Sequence, residues 1–174
     1  MKRLLFFLLV TICTLSAKAQ RMEYPIIKEF GGVVNLPNAT FPQQGGKILI
    51  DLTLAATTTS GINKNIDRIA RLVNLYGLAG ITPDQLQLAV IVHGPATKTI
   101  MSDQAYQRKF NENNPNLPVI KALREIGVKF MVCGQAVIGR GFKVEDMDTD
   151  IELAISAITT LVDYQKNGYS VLYY

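Results

Sequence analysis

Short, almost uninterrupted apolar runs alternate in this chain with stretches of helical periodicity, and no other feature restricts the fold as much. Ile48-Leu49-Ile50-Asp51-Leu52, Leu86–Val92 and Val128–Cys133 each read as strands buried on both faces. A strand with one wet face would instead alternate apolar with polar residues. After the first run, Ile62, Ile66, Ile69, Val73 and Tyr76 recur at spacings of four, three, four and three. Lys64, Asn65, Asp67, Arg68, Arg71 and Asn74 fall between them, which predicts a helix with one apolar and one solvated face. Pro83 and Gly94-Pro95 bound the second run. The polar stretch Ser102–Asn116 holds a short helix at Asp103–Phe110 and a turn at Asn114-Pro115-Asn116. Pro118 suits a first helical turn, Val119, Ile120, Leu123 and Ile126 supply an apolar face, and Gly127 stops the helix. A Gly-punctuated helix after Cys133 leads to a fourth strand at Asp150–Ile155. A last helix carrying Ile158, Leu161, Val162 and Gln165 closes at Gly168, and Tyr169–Tyr174 forms a fifth strand. Strands separated by helices demand right-handed crossovers, so the expected class is α/β. The expected sheet has about five mostly parallel strands, covered on both faces.

The first twenty residues stand apart. Lys2 and Arg3 precede an apolar run from Leu4 to Ile12, and Ala17-Lys18-Ala19 offers small residues where a signal peptidase cuts. The run is far shorter than the ~20 residues a bilayer span needs, so no stable membrane insertion is expected. Bulky Ile12 before Cys13 argues against lipidation there. Residues 1–19 are therefore expected to be a signal peptide cut after Ala19, giving a periplasmic or secreted protein.

This matters for charge. The full chain has 18 Lys+Arg against 14 Asp+Glu and a formal net charge of +4. Without Lys2, Arg3 and Lys18, 15 basic residues face 14 acidic ones. No basic face interleaved with aromatics is left, so no nucleic-acid partner is expected. Cys13 goes as well, leaving Cys133 as the only thiol beside His93, the only imidazole. Residues 20–46 are punctuated by Pro25, Gly31-Gly32, Pro37, Pro42 and Gly45-Gly46 and read as an extended lead-in without regular structure. They carry the sequon Asn38-Ala39-Thr40. Residues 47–174 form the domain.

Function in a parallel α/β sheet gathers at the carboxyl ends of the strands. His93 ends the second strand and Cys133 the third, so the sole imidazole and the sole remaining thiol share one sheet edge. A helix following Cys133 would favour its thiolate, and Arg140 and Lys143 could add positive potential. A buried, inert Cys133 and a capping or core His93 are the plain alternatives. Glu145–Asp150 does not form a calcium loop: counted from Asp146, the glycine position is Ile151 and the twelfth is Ala157. Thr57-Thr58-Thr59-Ser60-Gly61 lacks the Gly spacing and Lys of a phosphate loop, and N-capping by Ser60 or a neighbour accounts for it. Tyr169, Tyr173 and Tyr174 suit an edge strand at a subunit interface. There is no HExxH, CxxC or paired zinc-ligand spacing, so neither metal nor cofactor is expected.

Ala89-Val90-Ile91-Val92-His93-Gly94-Pro95-Ala96, with Gly127–Ala136 (GVKFMVCGQA) about forty residues on, resembles the DsrE/DsrF family. Gln165-Lys166-Asn167-Gly168-Tyr169 resembles the family's end. The likeness covers Lys47 to Tyr174, and Tyr24-Pro25 to Gly31-Gly32 resembles the lead-in of an exported subgroup. It implies a flavodoxin-like three-layer fold and a homo-oligomer, trimer or hexamer. In relatives of the DsrEFH and TusBCD type, a Cys followed by small residues and an Arg-Gly carries a persulfide between partner proteins. Cys133 and Arg140-Gly141 match that pattern, and His93 matches the His-Gly of the exported relatives. The implied site is Cys133 and His93 as catalytic residues, with Gly94, Gly134, Gln135 and Arg140 binding substrate. Known carriers work in the cytoplasm, whereas this chain is expected to be exported. Three readings follow: a sulfur carrier relaying to a partner thiol, a non-enzymatic oligomeric binding module with a structural Cys, and metal sequestration by Cys133 and His93.

Overall fold

A computed structural model describes residues 21–36, 38–43, 46–56 and 58–174; the expected signal peptide, residues 1–19, lies outside the described residues. The lead-in departs from expectation. It carries two short antiparallel strands, β1 (Met22–Glu23) and β2 (Val33–Val34), paired Met22↔Val34. The turn between them is clasped by one buried side chain, Asn74. Its Oδ1 accepts from the Ile26 and Ile27 N–H groups at 2.9 and 2.8 Å. Its Nδ2 donates to the carbonyls of Ile27, Phe30 and Gly31 at 3.0–3.1 Å. This backbone pairs with a helix some forty residues away, which local punctuation cannot reveal. Gly31 has φ +61°, and a Cβ there would lie 2.1 Å from the Arg71 amide nitrogen, so only glycine fits.

The sheet elements follow in chain order: β3 (Gly46–Leu52), α1 (Lys64–Leu78), β4 (Leu86–Val92), α2 (Asp103–Phe110), α3 (Leu117–Glu125) and β5 (Lys129–Cys133). Then come α4 (Gly134–Gly139), β6 (Glu152–Ala154), α5 (Ala157–Lys166) and β7 (Ser170–Tyr173). Five strands pair in the order β6-β5-β4-β3-β7, all parallel. The chain steps outward from β3 through β4 and β5 to β6, then returns to lay β7 on the other side of β3. The fold is α/β, with helices on both faces of a five-stranded parallel sheet.

Four local expectations need correction. Helix α1 begins later than its apolar spacing suggests, because Asn63 caps it, not Ser60. The Asn63 Oδ1 accepts from Asn65 N–H at 2.9 Å and its Nδ2 donates to the Leu54 carbonyl at 2.7 Å. Ile62 therefore lies outside the helix and is partly exposed. The fourth strand is only three residues, since Asp150 pairs with Arg124 at 2.8 Å instead of joining the ladder. The third and fifth strands lose one or two terminal residues. A buried 3₁₀ turn, Gly94–Ile100, follows β4 where no element was expected.

The alternation of strand side chains sorts the core into two layers. Ile48, Ile50, Leu52, Val90, Val92, Phe130 and Val132 pack on Ile66, Ile69, Val73, Val119, Ile120 and Leu123 of α1 and α3. On the opposite face, Leu49, Ala89, Ile91, Met131 and Cys133 pack on Ala157, with Leu161 and Tyr164 of α5 against them. That second face holds the candidate site.

Candidate functional site

Leu49 and Ile91 point to the α5 face, so two residues on, Asp51 and His93 do too. Met131 and Cys133 share that face. The β4–β5 register ends at Val92↔Val132, which places His93 and Cys133 one step beyond it on neighbouring strands. Three adjacent central strands thus deliver Asp51, His93 and Cys133 to one face at the carboxyl edge of the sheet. The sequence reading placed the thiol and the imidazole on that edge but missed Asp51. A signal was there: Asp51 is the only charged residue in the run Ile48–Leu52.

Asp51 is 6 % exposed, and its Oδ1 lies 2.5 Å from His93 Nε2. His93 is partly exposed, and its backbone N–H donates to the Leu52 carbonyl at 3.0 Å. The chain then turns away at Gly94, whose φ of +55° favours glycine. Pro95 starts the 3₁₀ turn, and Ala96 N–H donates to the Thr53 carbonyl at 2.9 Å. These bonds fix His93 at the lip of the sheet.

Cys133 is 5 % exposed and serves as the N-cap of α4, its Sγ accepting from the Ala136 N–H at 3.4 Å. Gly134 lets α4 approach β6 closely: a Cβ there would lie 3.3 Å from the Ala154 carbonyl oxygen. Gln135 is exposed in the first turn of α4. Arg140 is the C-cap of α4, exposed at the opposite end from Cys133, roughly 10 Å along the axis. Lys143 Nζ lies 3.8 Å from Glu145 Oε1. The structure therefore gathers His93, Gly94, Cys133 and Gly134, with Gln135 beside them, and sets Arg140 apart.

The other polar features of this face lie lower on the sheet. Tyr164 donates to Met131 Sδ at 3.6 Å, and burial raises its phenol above the usual range. Lys129 is raised too, chiefly by its hydrogen bond to Glu152, with 2.7 Å between Nζ and Oε2. Among the described residues, no group of three or more His, Cys, Asp or Glu is arranged to hold a metal ion, and no helix is long and apolar enough to cross a membrane. Grooves also lie elsewhere on the described residues. One of about 310 Å³ runs between the lead-in and α1, lined by Leu36, Phe41, Leu72 and Leu75. Another of about 510 Å³ lies between Asp103, Lys121, Arg124 and Asp148. Asp146, Asp148 and Asp150, considered above for a calcium loop, bond instead to Arg108, a backbone amide and Arg124. Tyr173, on the edge strand β7, is largely exposed, while Tyr169 packs edge-on against Tyr164.

The sequence pattern of the DsrE/DsrF-like family matches residues 40–174. The chain belongs to the DsrE/DsrF-like family. Two solved structures share the fold of this DsrE-like protein. One is a protein of unknown function, MTH1491, from Methanobacterium thermoautotrophicum, 13 % identical with a TM-score of 0.54. The other is the YchN protein of E. coli, 17 % identical with the same TM-score. Each comparison covers 74 % of this chain and 99 % of the other. No curated protein matches the sequence significantly. The family match begins at residue 40, within the lead-in.

Proposed function

We propose that this protein is an exported sulfur carrier that holds a persulfide on Cys133. One observation carries the reading: the only cysteine of residues 20–174 ends a central strand, and both it and the only histidine lie one register step beyond Val92↔Val132 on neighbouring strands. Family membership supports it, since DsrE-like proteins are generally linked to sulfur relay. In this reading the Cys133 thiolate attacks the outer sulfur of a donor persulfide, R–S–SH, forming Cys133–S–SH and releasing R–S⁻. A partner thiolate then attacks the outer sulfur of Cys133–S–SH and regenerates the thiolate. His93 and the N–H groups opening α4 stabilise the anion, and Gly94, Gly134, Gln135 and Arg140 are the proposed substrate contacts. The test is to treat reduced protein with thiosulfate or polysulfide and read the Cys133 peptide by mass spectrometry. Gain of ~32 Da, one sulfur atom, is expected; an unmodified Cys133 that alkylating reagents can reach rejects the carrier.

The leader supports a periplasmic or secreted location, tested by N-terminal sequencing of exported protein for a start at Gln20. Five large apolar side chains are exposed here: Ile138 on α4, Leu153 on β6, Ile155 just after it, and Ile158 and Val162 on α5. Gly134 and Ile138 share a face of α4, and Leu153 packs beside Gly134. These five side chains come from the edge strand β6 and the elements on either side of it in sequence, and an apolar edge of this kind marks an interaction surface. We read it as the surface for a second copy in a trimer or hexamer, and light scattering at monomer mass would overturn that.

A second reading rests on the burial of Cys133 among Leu49, Ala89, Ile91, Met131 and Ala157. There Cys133 is a core residue, and the same edge binds a small ligand or a partner without covalent chemistry. Alkylation decides between the two: modification only after unfolding favours the binding module.

A further inference from the structure

Asp51 is the only ionisable group in Ile48–Leu52, the stretch of β3 in which every residue is buried. A carboxylate withdrawn from water is costly unless it is paired and hydrogen-bonded. Among the described residues, the only side chain hydrogen-bonded to it is His93, through Nε2 at 2.5 Å. With the carboxylate accepting, the Nε2–H donates, and Nδ1 is left as the free ring nitrogen. The hydrogen bond at one ring nitrogen thereby decides what the other can do. Cys133 ends the next strand, on the same face and one register step beyond Val92↔Val132, at a strand spacing of about 4.8 Å. Carboxylate, imidazole and thiol thus occupy three successive strands in the order of roles that activates a nucleophile in hydrolase triads.

We propose that Asp51 is the positioning residue of the site: its carboxylate holds His93 as the Nε2–H tautomer, so that Nδ1 takes the proton of the Cys133 thiol and returns it to the departing thiolate. This rests on the sulfur-carrier reading and specifies how its thiolate arises. The proton moves from Cys133 Sγ to Nδ1, and the resulting imidazolium is stabilised by the Asp51 carboxylate. The thiolate then forms a bond to the outer sulfur of R–S–SH as the donor S–S bond breaks. The departing R–S⁻ takes the proton from Nδ1. In sum, Cys133–SH and R–S–SH give Cys133–S–SH and R–SH, with no external oxidant or reductant.

His93 is the only histidine in the sequence, so a nitrogen-15 imidazole spectrum of the full chain reports this ring alone. The neutral ring of the wild type is expected as the Nε2–H tautomer, and an Nδ1–H tautomer overturns the proposal without recourse to any variant. The second measurement is the rate at which inorganic polysulfide adds ~32 Da to Cys133, followed by peptide mass spectrometry. Proton transfer of this kind is worth about 10²–10⁴-fold. Asp51→Asn and His93→Gln are each expected to slow the addition at least about tenfold on that scale. Because the two act as a unit, the double variant should be no slower than the slower single variant. Multiplicative slowing, the mark of two independent structural lesions, overturns the dyad; so does Asp51→Asn reacting at the wild-type rate. Either result leaves the persulfide on Cys133 standing. Failure of wild-type Cys133 to gain sulfur rejects the carrier reading and the proton transfer together, while the imidazole spectrum still shows separately whether Asp51 sets the tautomer.

Discussion

The two faces of the sheet are built to different standards. Toward α1 and α3, 25 buried apolar residues of the described chain form one continuous core that also takes in Ile27 of the lead-in. Toward α5, the buried cluster has six, one of them Cys133 and two of them alanines. The thick face is given over chiefly to packing. The thin face tolerates a buried carboxylate and an imidazole at its upper edge, and leaves Ile158 and Val162 of α5 uncovered. If the proposed function holds, a single sheet separates stability from reactivity, with alternate residues of the same strands serving each.

Substitutions of similar size on the two faces test this division. Leu123→Ala on α3, at full burial, should cost about 2–5 kcal/mol, lowering Tm by an amount on the order of 10 °C. A loss below about 1 kcal/mol would mean the thick face is not the main source of stability. Asn74→Ala comes next. It strips hydrogen bonds from buried backbone of the lead-in, at about 1–3 kcal/mol per group left unpaired. Limited proteolysis should then cut between Tyr24 and Gly32 while α1 stays intact; uniform cleavage throughout the chain would contradict a separate clasp. On the thin face, Cys133→Ala should cost no more than about 1–2 kcal/mol, because the change in volume is small. It should nonetheless abolish the sulfur adduct, so a large stability loss would shift Cys133 to the structural role. Ile158→Lys should leave the monomer's stability within about 0.5 kcal/mol yet lower the mass seen by light scattering.

The smallest effect is electrostatic. Lys129 is raised chiefly by its hydrogen bond to Glu152, so the folded state holds the proton more tightly than the unfolded chain. That stabilisation is complete below the unfolded value of 10.5 and is lost as pH rises through the higher folded value. Both side chains are about half exposed, so the pair is worth less than about 1 kcal/mol. Lys129→Met should therefore lower stability by less than about 1 kcal/mol at neutral pH, and flatten the alkaline decline of a stability profile measured from pH 9 to about 11.5.

Much of the thick face was legible in the linear sequence. The spacing of Ile66, Ile69 and Val73 and the runs Leu86–Val92 and Val128–Cys133 are local patterns with a direct physical cause. His93 and Cys133 were legible for the same reason, since each terminates such a run. Asn63 and Asn74 were not, because a carboxamide that caps a helix or clasps a distant loop looks like any solvated asparagine until its partner is known. Ile62 and Ile158 erred the other way: each has the hydrophobicity of a core residue, but the cap at Asn63 and the orientation of α5 leave them outside. Asp51 was readable as an anomaly but not as a partner of His93.

The sequence by itself determined the class of fold, its parallel strands and the sheet edge to which its thiol and imidazole belong, because period and chain order are encoded locally. Tertiary structure alone decided the strand order, the clasp on the lead-in, the distance of Arg140 from Cys133 and the pairing of Asp51 with His93. Each of these depends on which strands lie side by side and in what register, and that is settled only when distant segments compete to bury the same surface.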